Sequence, residues 1–284
     1  MLSKFLNSIT LLVSASLVCE TGELLAQCSD AGVCAIGKIP SSLQYQVGVG
    51  YQFGRSGQAD DLTFHTVQLE ATIQVFEKSN LFISLPWSNQ SGPLGSTSGI
   101  GDLTILWNET VWQGKEFYLS IEVGGKIATA DADADKLPQA YQSGLGTNDA
   151  LFGVSLSLES WNMATGYQLS RGRSNNSITR LRRGDDIFFR VGYSEFYDEI
   201  QLSGELLAIK RLGQSSVLDG AGIMFTDIAG SDQFQLNALG RFVVPLDDSR
   251  SVRVIGAVPF IQRKVNVDGL TRSVSLSLTL VMTF

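Results

Sequence analysis

A strict period of two in side-chain polarity constrains this chain more than any other feature. Its last eleven residues, VSLSLTLVMTF, set Val274, Leu276, Leu278, Leu280, Met282 and Phe284 on one side and Ser275, Ser277, Thr279, Val281 and Thr283 on the other. Successive side chains of a β-strand point to opposite faces, so this is a strand with one apolar and one mostly polar surface. The same alternation runs through SLQYQVGVGYQF (42–53), TVQLEATIQV (66–75), FYLSIEVGGKI (117–127) and DQFQLNALGRF (232–242). Twelve such segments are predicted, near 42–54, 62–76, 81–88, 100–112, 116–128, 148–159, 162–172, 185–196, 199–211, 232–244, 251–264 and 271–284.

Alternation alone does not say whether the apolar faces meet a second protein layer or lipid. The connections decide. EKSN (77–80), QGKE (113–116), the corner at 160–162, YDE (197–199) and LDDSR (246–250) are short, and longer segments such as DADADKLPQAYQSGLGT and GQSSVLDGAGIMFTDIAGS lie between them. Transmembrane barrels carry short turns on the periplasmic side and long loops outside, and an even strand number returns both termini to the periplasm. A soluble sandwich has no reason to keep that register. Only the last outer connection, around VNVDGL, reads as short. Composition agrees, since 17% charged residues is low against a globular average of about 25%. The predicted fold is therefore all-β, a 12-stranded antiparallel up-and-down transmembrane β-barrel over residues 42–284, expected as a monomer in the outer membrane of a Gram-negative bacterium.

Residues 1–27 read as a secretory signal, with Lys4 before the apolar stretch Phe5 to Val18 and cleavage near Ala26 or Gln27. Lipid attachment at Cys19 or Cys28 is a rival reading. Residues 28–41 are expected as a short periplasmic segment in which Cys28 and Cys34, an even pair in an exported chain, form a disulfide. The net charge of −7 speaks against a nucleic-acid partner. The expected partners are outer-membrane lipid and lipopolysaccharide, the barrel insertion machinery and small-molecule solutes.

With the apolar faces turned to lipid, the opposite parity defines a lumen. Its charged members include Glu70, Asp102, Glu122, Lys126, Arg190, Glu205, Arg241 and Arg253. Charge inside a membrane protein is tolerated where it faces water or a partner, so these residues either pair and plug the barrel or line a conducting path. In the outer loops, Asp131, Asp133 and Asp135 have the one-three-five spacing of a calcium loop, but Lys136 stands where its glycine belongs and Gln142 where its glutamate belongs. No metal site is expected. Arg180, Arg182 and Arg183 make the neighbouring outer loop basic, and the acidic and basic loops are expected to pair across the mouth. His65 is the one histidine and reads as an interfacial polar residue. An outer-membrane lipid hydrolase is the weaker alternative, and no catalytic residues and no cofactor are predicted.

GIGDLTILWNETVW (99–112) and GLGTNDALFGVSLSL (144–158) resemble outer-membrane barrel proteins of the putative transporter type named for the meta-pathway of phenol degradation. The shared features are a GxGD turn, matched by Gly99, Gly101 and Asp102, and a GTxD-like stretch, echoed by Gly146, Thr147 and Asp149. The terminal strand ending in Phe284 resembles the signal by which such proteins reach their insertion machinery. The resemblance implies a channel for passive uptake of small molecules, hydrophobic or aromatic compounds among them, with a non-conducting structural or binding barrel as the alternative.

Overall fold

The computed structural model describes Ile36 and residues 45–57, 61–170, 172–218, 222–265 and 267–284. The predicted signal and the Cys28 and Cys34 pair lie outside these residues. In chain order the strands are β1 (Gln46–Arg55), β2 (Thr63–Phe76), β3 (Ser79–Gly92), β4 (Gly95–Ile100), β5 (Leu103–Gln113), β6 (Phe117–Ile127), β7 (Asp149–Leu158) and β8 (Trp161–Ser170). They continue with β9 (Leu181–Arg182), β10 (Asp186–Tyr197), β11 (Ile200–Arg211), β12 (Ser216–Leu218), β13 (Phe225–Asp227), β14 (Phe234–Asp247), β15 (Arg250–Ile261) and β16 (Val274–Thr283).

Twelve of these are staves of one closed antiparallel barrel, each paired with its neighbours in the order β1, β2, β3, β5, β6, β7, β8, β10, β11, β14, β15, β16. The last strand closes on the first, from Gln46 opposite Thr283 to Arg55 opposite Val274. One further backbone bond, from the Phe284 N–H to the Tyr45 carbonyl at 2.9 Å, completes the seam. Between successive staves, two-residue and three-residue turns gather at one end and the long connections at the other, as the connection lengths predict. Among the described residues, no helix is long and apolar enough to cross a membrane.

The burial pattern fixes which face is which. Along β16, Val274, Leu276, Leu278 and Leu280 are exposed on the barrel exterior, while Ser275, Ser277, Thr279 and Val281 are buried inside. Val47, Val49 and Tyr51 on β1 and Val67 and Leu69 on β2 continue the apolar exterior. Aromatic pairs cluster toward the short-turn end, with Phe76 against Trp107, Trp112 against Phe117 and Trp161 against Tyr193, ring centroids 5.1 to 6.3 Å apart. The tryptophans and tyrosine among them, apolar in body and polar at the tip, suit a membrane interface. His65 sits on the exterior wall, with the Tyr51 hydroxyl 2.6 Å from its Nδ1.

Two features differ from the sequence expectation. The connection between the predicted segments 81–88 and 100–112 is an ordered hairpin of β3 and β4, paired from Trp87 opposite Ile100 to Gly92 opposite Gly95. Its small polar residues pair as readily as apolar ones when no lipid face has to be supplied. The outer loops also carry a small sheet in which β12 lies between β13 and β9.

Leu278 lies mid-strand with 53% of its surface exposed, so Leu278→Arg should cost about 2–4 kcal/mol, as charged residues do at mid-bilayer on a lipid-facing wall. Urea titration of barrels folded into lipid vesicles reads that loss.

Candidate functional site

The inner face is layered. At the long-loop end, the two glycine motifs converge on one lysine. Gly101 lies where a Cβ would come within 2.8 Å of both the Pro86 ring and the Ser143 carbonyl, so only glycine lets the chain turn from β4 into β5 there. The turn aims Asp102 inward, where its carboxylate accepts the backbone N–H groups of Ala130 at 3.3 Å, Leu145 at 2.9 Å and Gly146 at 3.2 Å. Lys126 Nζ stands 3.6 Å from Asp102 and 3.0 Å from Asp149, the acid of the second motif. All three are buried. The two motifs thus supply the two carboxylates that neutralise one buried ammonium.

Around the same rim, Asp186 gathers arginines. Arg211 approaches it at 3.1 Å, Arg183 at 3.3 Å and Arg263 at 3.8 Å, and Arg211 also reaches Asp268 at 2.7 Å. Asp268 belongs to the loop 262–273. Burial opposes its charge, but Arg211, then Arg263 and Arg183, outweigh that and hold its carboxyl below the usual carboxylate range. Buried ions persist only when so compensated.

Below the rim an apolar belt narrows the lumen. Phe82, Leu106, Leu151, Phe188, Leu207, Ile209, Leu239, Ile255 and Ala257 form one cluster with Ile36. Ile36 is fully buried and packs on Gly153, where a Cβ would fall 2.1 Å from Ile36 Cγ2. Sequence reasoning placed residues 28–41 in the periplasm, yet the one described member of that segment lies inside the barrel. Elsewhere on the inner wall, Arg253 faces Glu70 at 3.8 Å and Arg190 faces Glu205 at 3.7 Å. Glu122 accepts from Asn108 and Ser155. Arg241 donates to Ser203 at 2.9 Å. All eight charged residues predicted for the lumen therefore sit on the inner face. Asp186 and Arg211 share the inward parity of Arg190 and Glu205, a signal that could have added them. Asp268 and Ile36 carry no such periodicity.

The loops roof the lumen. Leu62, Phe64 and Tyr141 pack with Leu137 and Ala140, and Leu145, Leu181 and Leu270 pack with Val217 and Val267. The connection expected to be short thus contributes Leu270 and Asp268 to this roof. Gly269, at φ 71°, slides under Ala140, whose Cα would lie 2.4 Å from an added Cβ. Asp131 and Asp135 are exposed, as are Arg180 and Arg182. Among the described residues, hydrogen bonds join the acidic and basic loops. Asp133 accepts the Ser177 N–H at 2.8 Å and hydroxyl at 2.6 Å and pairs with Lys136, while Asn176 donates to the carbonyls of Ala132 and Leu137. Arg182 turns to Asp227 at 3.7 Å, and Arg183 goes down to Asp186.

No protein-family model and no curated protein sequence matches the chain. Among solved structures it is similar to the COG4313 outer membrane channel from Pseudomonas putida F1, with a TM-score of 0.66 and 16% identity over 92% of this chain and 100% of that one. It is also similar to the NanC porin, with a TM-score of 0.52 and 8% identity over 84% of this chain and 100% of that one. The fold is that of the outer-membrane barrels.

Two predictions follow from the roof. Asp186→Asn removes the acid shared by three arginines and should cost about 3–5 kcal/mol, the cost of breaking a buried pair, whereas exposed Asp135→Asn should change stability by less than about 0.5 kcal/mol; urea midpoints compare them. The Lys136 and Ser177 bonds hold the Asp133 carboxyl down at about 2, so its tie to Ser177 is complete above the ordinary carboxylate range and lost as pH falls through about 2. Spin labels at positions 135 and 178 should keep their separation from pH 7 to 4 and spread near pH 2.

Proposed function

We propose that this chain is an outer-membrane channel for passive movement of small solutes, closed in the arrangement described. The observation that carries the reading is the inner wall. Its charges and amides are turned away from lipid and lead from the roof toward the short-turn end, a lining suited to a watery path. The apolar belt with Ile36 at its centre is the natural closure. Water leaves such a constriction readily, which bars ions without a charged gate.

The resemblance to the phenol meta-pathway type is what supports hydrophobic or aromatic solutes. The lining under the roof, which a solute from outside meets first, is instead rich in amides and hydroxyls. Delivery by the insertion machinery through the strand ending at Phe284, contact with lipopolysaccharide, and a monomeric state belong to the same proposal. So do removal of residues 1–27 and a disulfide between Cys28 and Cys34. The packed roof favours the second reading, a non-conducting structural or binding barrel.

Planar-bilayer recording separates them. The full chain should give small, infrequent steps. Deletion of residues 28–40, or Gly153→Val, which leaves no room for Ile36, should raise conductance several-fold. Silence from all three would establish the scaffold.

A further inference from the structure

Beneath the roof, between β1, β2, β3 and the two loops, lies a chamber of about 60 Å³. Its wall is a set of uncharged hydrogen-bonding groups: the amides of Gln52, Gln68 and Gln139 and the hydroxyls of Thr66, Ser84 and Ser88. We infer that this chamber is a binding subsite for a small, uncharged, polyhydroxy solute of about four carbons, an inference that deepens the channel reading by naming its solute class.

Three observations carry it. The charges that border the chamber, Asp102, Asp268 and Arg272, are already engaged. Asp102 holds three N–H groups and Lys126, and Asp268 holds Arg211. Arg272 lies 3.2 Å over the Phe64 ring and donates to the Gly269 carbonyl at 2.7 Å. An ionic solute would meet no uncommitted counter-charge there, and burying an unpaired charge is costly.

One polar atom of the wall, and several on the neighbouring strand β16, also lack a partner among the described residues. Gln139, 1% exposed, donates its Nε2 to the Gly144 carbonyl at 3.0 Å, but its Oε1 has no hydrogen bond. Ser277 and Ser275 on β16 stand in register with Gln52 and Gly54 of the chamber wall, and both hydroxyls are buried without partners, as is that of Thr279. Each such group is costly to bury unless water or a ligand satisfies it. A solute hydroxyl donates to a lone amide oxygen and exchanges either role with a serine, which an aromatic carbon or a carboxylate does not.

Finally, size is restrictive. The chamber is far below the roughly 300–1,000 Å³ of sites for drug-sized ligands, which limits the occupant to a short polyol. Inward-facing glycines beside it, Gly48, Gly50 and Gly54 on β1, keep the adjoining wall low.

Saturation-transfer NMR on the detergent-solubilised full chain tests this with threitol, its anionic analogue threonate, and 1,4-butanediol, which lacks two of the hydroxyls. Threitol should receive at least five-fold more saturation than either. Gln139→Leu should reduce that signal at least five-fold and Ser277→Ala at least two-fold, in variants whose heat-dependent gel mobility shows a folded barrel. Equal transfer to threonate or butanediol, or a threitol signal unmoved in both variants, overturns the inference. The measurement does not depend on conduction. Threitol binding by a chain silent in bilayers would remove the channel reading and keep the subsite, and a conducting chain with no threitol preference would do the reverse.

Discussion

A peptide group in hydrocarbon has no water to bond, so every N–H and C=O within the membrane must be satisfied by the chain itself. An open sheet leaves two unpaired edges; a closed one leaves none. The pairing of β1 with β16 is therefore the contact on which the rest depends. Once the sheet closes, a side chain points either to lipid or to the lumen, and the period of two divides the composition between them. The same division puts leucine and valine outside and strands arginine, glutamate and glutamine inside.

Interior charge then has to be compensated. Lys126 takes two acids, Asp186 takes three arginines, and Arg211 bridges Asp186 to Asp268 on a loop. The last of these joins wall to roof, because Asp268 is carried by the connection that must fold inward to reach Arg211. The apolar clusters around Tyr141 and Leu145 complete that roof with ordinary packing, and the belt around Ile36 repeats the arrangement lower down. A filled barrel and a gated one share this wall; they differ in whether the pieces inside it can move aside.

The wall was legible in the sequence and the contents of the lumen only in part. Strand number, closure and facing follow from alternation and connection length, both local. The inward direction of Glu70, Glu122, Lys126 and Arg253 follows from parity, which is local too. Their partners do not: Arg253 meets Glu70 only because β15 and β2 come within reach across the seam strands, and no spacing in the chain encodes that distance. Asp102 and Asp149 illustrate the boundary well. Their motifs were visible, but their common target, Lys126, emerges only when β6 is seen lying between β5 and β7. Loops carry no period at all, so the hairpin of β3 and β4, the descent of Asp268 and the inward position of Ile36 had no signature to read.

The ion pairs around Lys126 and Asp186 are sealed from solvent, and mobile salt weakens exposed attractions far more than enclosed ones. The cover over the lumen should consequently be indifferent to the salinity of the medium. In dilute and in briny surroundings alike, those enclosed contacts would tie wall to roof with the same strength.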